Sequence, residues 1–120
     1  MRKLKNARIE RTTLGVHQDY GIFTFTIVLD YGGSGQHFCG VTLDTVAVRG
    51  VGPRIPTKYG LDCIMRLLKA VGVSSWEDLP NKNVRAIIEN GMIIGLMNFL
   101  DDENTFLPGE LYKEQYEEKQ

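Results

Sequence analysis

The sequence predicts an α+β fold: a mostly antiparallel sheet of about five strands in the order β-β-β-α-β-β-α, with one main helix packed on a face. Three observations carry this reading. Residues 22–29 alternate strictly, with Phe23, Phe25, Ile27 and Leu29 on one face and Ile22, Thr24, Thr26 and Val28 on the other. Asn90-Gly91 stands between two apolar runs, and that dipeptide supplies the positive φ that a type I′ hairpin turn needs at both central positions. Leu61, Ile64, Met65, Leu68 and Val71 recur at helical spacing between Thr57, a good N-cap, and Gly72, a natural stop.

Taken in order, residues 4–16 read as a strand whose alternation is imperfect, as a bulged or edge strand would show. The polar stretch 17–21, ending in Gly21, is a hairpin loop to the central strand 22–29. A third strand is expected over 36–43, with His37, Cys39, Val41 and Leu43 sharing one face. Residues 44–56 hold Gly50, Gly52, Pro53 and Pro56 and read as an exposed, mobile loop carrying Arg49 and Arg54. The helix follows over 58–71 with the apolar face named above. Ser74 and Glu77 fit a capping box for a short helical turn closed by Pro80, with Val73 and Trp76 packing back on the core. Strands over 84–89 and 92–100 flank the Asn90-Gly91 turn, residues 101–104 are a loop, and Pro108 opens a last helix docked by Leu111 and Tyr112.

A chain of 120 residues is one domain by length. It is read as 1–112, followed by a charged tail, 113–120, that frays. Apolar residues make up 42% and charged residues 24%, ordinary values for a globular protein. A net charge of −1 argues against a strongly basic nucleic-acid binder. It leaves nucleic acid open as a partner of the local basic stretch Arg2, Lys3, Lys5, Arg8 and Arg11. Met1 leads into a polar, basic segment and no apolar run reaches membrane-spanning length, so the expectation is a cytoplasmic protein with no membrane association. Cys39 and Cys63 are then two free thiols.

The candidate chemistry centres on Asp30, Tyr31, Gly32, Gly33, Ser34, Gly35 and Gln36. Successive amides in glycine turns can form an anion-binding nest. No Lys-Ser/Thr and no helix follow, and a third glycine is missing, so neither a Walker loop nor a dinucleotide fingerprint is present. The competing reading is a connection that merely needs unusual backbone angles. Asp30, Tyr31, Ser34 and Gln36 would supply polar recognition groups, and Arg49 and Arg54 could clamp a phosphate or an acidic surface. Three further sets weigh less. His37 and Cys39 are two apart on a strand, too far for a nucleophile–base pair. His17, His37, Cys39 and Cys63 make a tetrahedral metal set by count alone. Asp19, Asp30 and Asp44 show no diagnostic spacing and read as turn and strand-end residues. No catalytic residue, metal site or cofactor is therefore assigned.

The segment Leu29-Asp30-Tyr31-Gly32-Gly33-Ser34-Gly35-Gln36 resembles one found in a family of small phage and prophage proteins. The likeness extends over roughly residues 4–100. It includes the helix start Tyr59-Gly60-Leu61 and the stretch 71–79, Val-Gly-Val-Ser-Ser-Trp-Glu-Asp-Leu. The family carries denser glycines after the residue matching Gln36, where His37 and Cys39 stand here, so any role of those glycines does not transfer. The resemblance implies a phage or prophage origin and no particular chemistry.

The expected function is that of a non-enzymatic phage or prophage accessory protein in the host cytoplasm. It would bind a host or phage protein, as an anti-CRISPR-like inhibitor of host antiviral defence does. The alternative is a small-ligand binder, a nucleotide or signalling-nucleotide sponge. A third reading is a small metal-dependent nuclease or hydrolase using Asp30, Asp44 and a histidine. Exposed strand edges and the half-polar threonine face of the second strand point to a homodimer.

Overall fold

The computed structural model describes residues 2–48 and 51–117. The fold is α+β, with six strands in one antiparallel sheet and two in a separate ribbon. In chain order, β1 (Arg2–Val16), β2 (Phe23–Asp30) and β3 (Gly35–Phe38) precede the ribbon strands β4 (Asp44–Val48) and β5 (Val51–Pro56). Then come α1 (Lys58–Val71), a 3-10 turn (Trp76–Asp78), β6 (Asn83–Glu89), β7 (Met92–Asn98), β8 (Thr105–Phe106) and α2 (Pro108–Tyr112). The large sheet runs β3-β2-β1-β6-β7-β8.

β1 serves two neighbours in turn. Its first half pairs with β6, from Arg2↔Glu89 to Arg8↔Asn83. Its second half pairs with β2, from Arg8↔Asp30 to Val16↔Phe23. The register slips between Ile9 and Arg11, and this bulge is the physical reason that the alternation over 4–16 is imperfect. The expected hairpins are present. His17 N–H donates to the Ile22 carbonyl at 2.8 Å, and Asn90 and Gly91 adopt φ of 54° and 78°.

Phe25, Ile27 and Leu29 are fully buried, as the alternation of β2 requires. Phe25, Phe38, Phe106 and Trp76 form an aromatic cluster, with Phe25 to Phe38 centroids 5.8 Å apart and Phe25 to Trp76 centroids 5.9 Å apart. Each buried ring contributes roughly 1.5–3 kcal/mol through apolar transfer alone. The sheet curls around this cluster until β3, at one edge, lies against β7.

α1 closes the hollow and begins and ends where expected. Thr57 Oγ1 accepts from Gly60 N–H at 2.9 Å, and Gly72 takes the left-handed conformation at φ 92°. Its buried face matches the expected one only in part: Val71 is buried and Ile64 and Leu68 pack against the core. Tyr59, Gly60, Cys63, Leu67, Ala70 and Val71 face inward, while Leu61 and Met65 are 61% and 60% exposed. The cause is the small-residue seam at Gly60, Cys63 and Ala70, with Leu67 filling the core between them. A Cβ on Gly60 would stand 2.0 Å from the Leu43 carbonyl oxygen, so the bare glycine lets the first turn seat directly on that backbone.

Four further expectations are corrected. Residues 44–56 hold the two-stranded ribbon β4–β5 rather than a mobile loop, and such a ribbon has free edges on which prolines cost no ladder bond. The third strand ends at Phe38, because Gly40 at φ 88° breaks the alternation; Phe38, Val41 and Leu43 are buried, while His37 and Cys39 face solvent. The short turn is capped at Ser75, whose hydroxyl donates to Glu77 at 2.6 Å, and not at Ser74. An additional strand, β8, pairs with β7. Beyond α2, residues Lys113–Glu117 continue as a π-helical turn, and residues 118–120 lie outside the described residues.

Candidate functional site

The two ends of β2 present two candidate surfaces. At its C-terminal end, the glycine loop is held by its own polar groups. Asp30 Oδ1 accepts from Gly32 N–H at 2.8 Å, and Oδ2 accepts from the Arg8 guanidinium at 3.0 Å. The Gly32 amide first, and then Arg8, hold the Asp30 carboxyl below the usual carboxylate range. Tyr31 N–H donates to the Ser34 carbonyl at 2.8 Å. The Tyr31 hydroxyl donates to Gln36 Oε1 at 2.7 Å, and Gln36 Nε2 donates to the Gly91 carbonyl at 2.8 Å. Gln36 is thus a strut between the glycine loop and the Asn90-Gly91 turn.

Lys5 covers the Tyr31 ring, its ammonium 4.2 Å from the centroid. Gly32 and Gly33 sit at φ 90° and 138°, which disfavour any side chain. Gly33 and Ser34 are exposed, and among the described residues their amides make no hydrogen bond. The loop borders a shallow hollow of about 390 Å³, which Glu10 and His37 also line. The Glu10 and Asp30 carboxylates at this border make it a poor seat for an anion.

At the other end of β2 lies a groove of about 580 Å³ between the end of β1, the ribbon and α1. Val16, Phe23, Leu43, Ile55, Leu61 and Ile64 supply its apolar lining. Asp44, Arg54, Lys58 and Asp62 form its polar rim, the last two paired at 2.6 Å. Arg54 Nε and Nη2 each donate to an Asp44 carboxylate oxygen at 2.9 Å, a bidentate pair. Asp44 also accepts from Phe23 N–H at 3.1 Å. Arg54 first, and then the Phe23 amide, lower the Asp44 carboxyl, while burial opposes them. The fork of Arg54 is therefore occupied by Asp44. Arg49 lies outside the described residues.

The remaining candidates do not converge. Asp30 and Asp44 stand at opposite ends of the eight-residue β2, about 20 Å apart at the strand's rise per residue. Cys39 is exposed and Cys63 buried, and burial pushes the Cys63 thiol up to about 11. Among the described residues no three His, Cys, Asp or Glu gather as a metal would require, so His17, His37, Cys39 and Cys63 are not brought together. The basic stretch is largely partnered: Arg2 with Glu89 and Glu110, Arg8 with Asp30, and Arg11 with Glu10.

The groove is the feature that reasoning from the sequence missed. Its signal was present in the two competing apolar stripes on α1, only one of which can face the core. No family model, curated protein or solved structure matches this chain. No helix among the described residues is long and apolar enough to cross a membrane.

Proposed function

We propose that this is a non-enzymatic accessory protein of phage or prophage origin, acting in the host cytoplasm by binding a host or phage protein. The groove beside α1 is the binding surface in this reading. The observation that carries it is the exposed Leu61–Met65 stripe continuing from a preformed apolar concavity. A monomeric surface rarely leaves such a stripe uncovered without a partner. The Arg54–Asp44 pair at the rim holds the ribbon in place and offers polar contacts around an apolar anchor, the arrangement common to protein interfaces. The phage origin rests on the resemblance around residues 29–36, and a host defence protein is the partner class that small phage proteins of this kind suggest by analogy.

The test is an affinity capture from lysate of phage-infected bacteria, comparing the natural chain with a Leu61→Lys, Met65→Glu variant. The expected result is a partner retained by the first and lost by the second, with both proteins equally folded by circular dichroism. Recovery of no specific partner, or equal recovery by both, overturns the reading.

A further inference from the structure

We propose that the chain forms a two-fold dimer by antiparallel pairing of the free edge of β1 with the same edge of a second copy. The second half of β1 has β2 on one side only. Ile9 donates to the Lys82 carbonyl and accepts from Asn81 N–H, and beyond it no strand among the described residues covers that edge. The bulge at residue 10 resets the pattern, so Arg11, Thr13 and Gly15 bond toward β2. Thr12, Leu14 and Val16 then direct their N–H and C=O groups outward.

This edge lacks the devices that keep strands from pairing. Residues 12–16, Thr-Thr-Leu-Gly-Val, contain no charge and no proline. Directly opposite Ile27, Phe25 and Phe23, Thr12, Leu14 and Val16 lie on the concave, core-side face. Leu14 is nevertheless 39% exposed and Val16 66%.

A second copy fits by both register and charge. Antiparallel pairing centred on Leu14 sets Leu14 against Leu14 of the second copy and Thr12 against Val16. Hydrogen-bonding residues then face hydrogen-bonding residues throughout. The same register sets Arg11 opposite His17 of the other copy, at the foot of the hairpin turn that carries Asp19. Among the described residues, Arg11 has no ion-pair partner but its neighbour Glu10. The exposed Asp19 carboxylate makes no ion pair among the described residues. The contact repeats twice by symmetry. The axis is perpendicular to the sheet, so both grooves open on the same face of the joined sheet, one on each side of the seam, and each gains the other copy's Thr12 beside its own Val16. The pairing itself does not depend on what the grooves bind.

The test is sedimentation velocity on the full chain, with circular dichroism as the control for folding. The natural protein should sediment at twice the chain mass of 13.5 kDa. Leu14→Lys, which places two ammonium groups face to face, should weaken dimerisation at least about tenfold. Arg11→Asp and Asp19→Arg should each weaken it, and the double exchange should restore it. In a Cys39→Ser background, Leu14→Cys should cross-link on mild oxidation, since a hydrogen-bonded antiparallel pair sets the two Cα atoms about 5.5 Å apart. A natural chain that stays monomeric overturns the proposal. So does a dimer that survives Leu14→Lys, or a dimer in which Leu14→Cys fails to cross-link.

Discussion

The two ends of β2 are built on opposite principles. At the Asp30 end the chain is polar, and most of its hydrogen-bonding groups meet one another: Asp30 accepts from Gly32 and Arg8, Tyr31 donates to Ser34 and Gln36, and Gln36 donates to Gly91; among the described residues only the exposed Gly33 and Ser34 amides of this loop are left over. At the Phe23 end the charged groups are tied up in the Arg54–Asp44 and Lys58–Asp62 pairs at the rim, and apolar side chains stand open beside them. A loop rich in hydrogen-bonding groups is not thereby a binding site, since folding can use those groups first. Apolar surface has no such internal outlet once the core is closed, and it remains available for association.

The comparison can be broken or sharpened by substitution. The largest effect is expected where the first turn of α1 seats on the Leu43 backbone, beside the groove. Gly60→Ala should destabilise by about 3 kcal/mol, because its Cβ meets rigid backbone. Gly33→Ala, with open space around the added methyl, should cost only about 1–2 kcal/mol of backbone strain. Urea unfolding measures both, and equal losses would erase the contrast between a packed glycine and a conformational one.

Gln36→Ala removes both ends of the strut and should lower stability by about 2 kcal/mol, one net hydrogen bond at each end. Its amide-exchange signature should be faster exchange around both residue 31 and residue 91. A change confined to one of the two would show that the loop and the turn are not coupled.

The Arg54–Asp44 pair gives a pH-dependent effect of smaller size. The Asp44 carboxyl is lowered in the folded chain. It therefore adds stability that is complete above the ordinary Asp value near 4 and is lost as the pH falls below it toward the folded value. Asp44→Asn should reduce the fall in Tm between about pH 4 and pH 2 relative to the natural chain. An unchanged slope would mean that other carboxylates, such as Asp30, dominate acid unfolding. The smallest effect on stability belongs to Leu61→Ser, expected to stay within about 0.5 kcal/mol because the side chain is exposed. The same change should abolish partner capture.

Much of the fold was legible in the residues themselves. The alternation in β2, the Asn90-Gly91 turn and the Thr57 and Gly72 caps each express a local rule, and the structure obeys all of them. The helix face was legible only in part: Ile64, Leu68 and Val71 pack inward as expected, but Gly60, Cys63 and Ala70 carry little hydrophobic weight and define the rest of the buried seam by smallness. Only the approach to the Leu43 backbone reveals that. The ribbon was hidden for a related reason: glycines and prolines that would disrupt a central strand are harmless in an isolated pair of strands. The glycine loop was located correctly as an exposed turn, but its internal bonding depends on Arg8 and Gly91, which are remote in sequence. The groove needs three separated segments, around residues 16, 55 and 61, and no local pattern joins them.

The divided pairing of β1 has a consequence for how the chain comes into being. A ribosome releases β1 and β2 early, and their hairpin can zip from residues 17–21 toward Arg8. The leading residues 2–7 must then wait for β6, some eighty positions downstream, before their backbone is covered. During that interval the nascent segment would be sticky were it apolar, yet it contains Arg2, Lys3 and Lys5, charges that discourage stray strand addition. Pairing β1 with β6 is thus a contact between distant segments, of the kind that slows folding, and the basic residues of β1 are charges that guard its edge until it is covered.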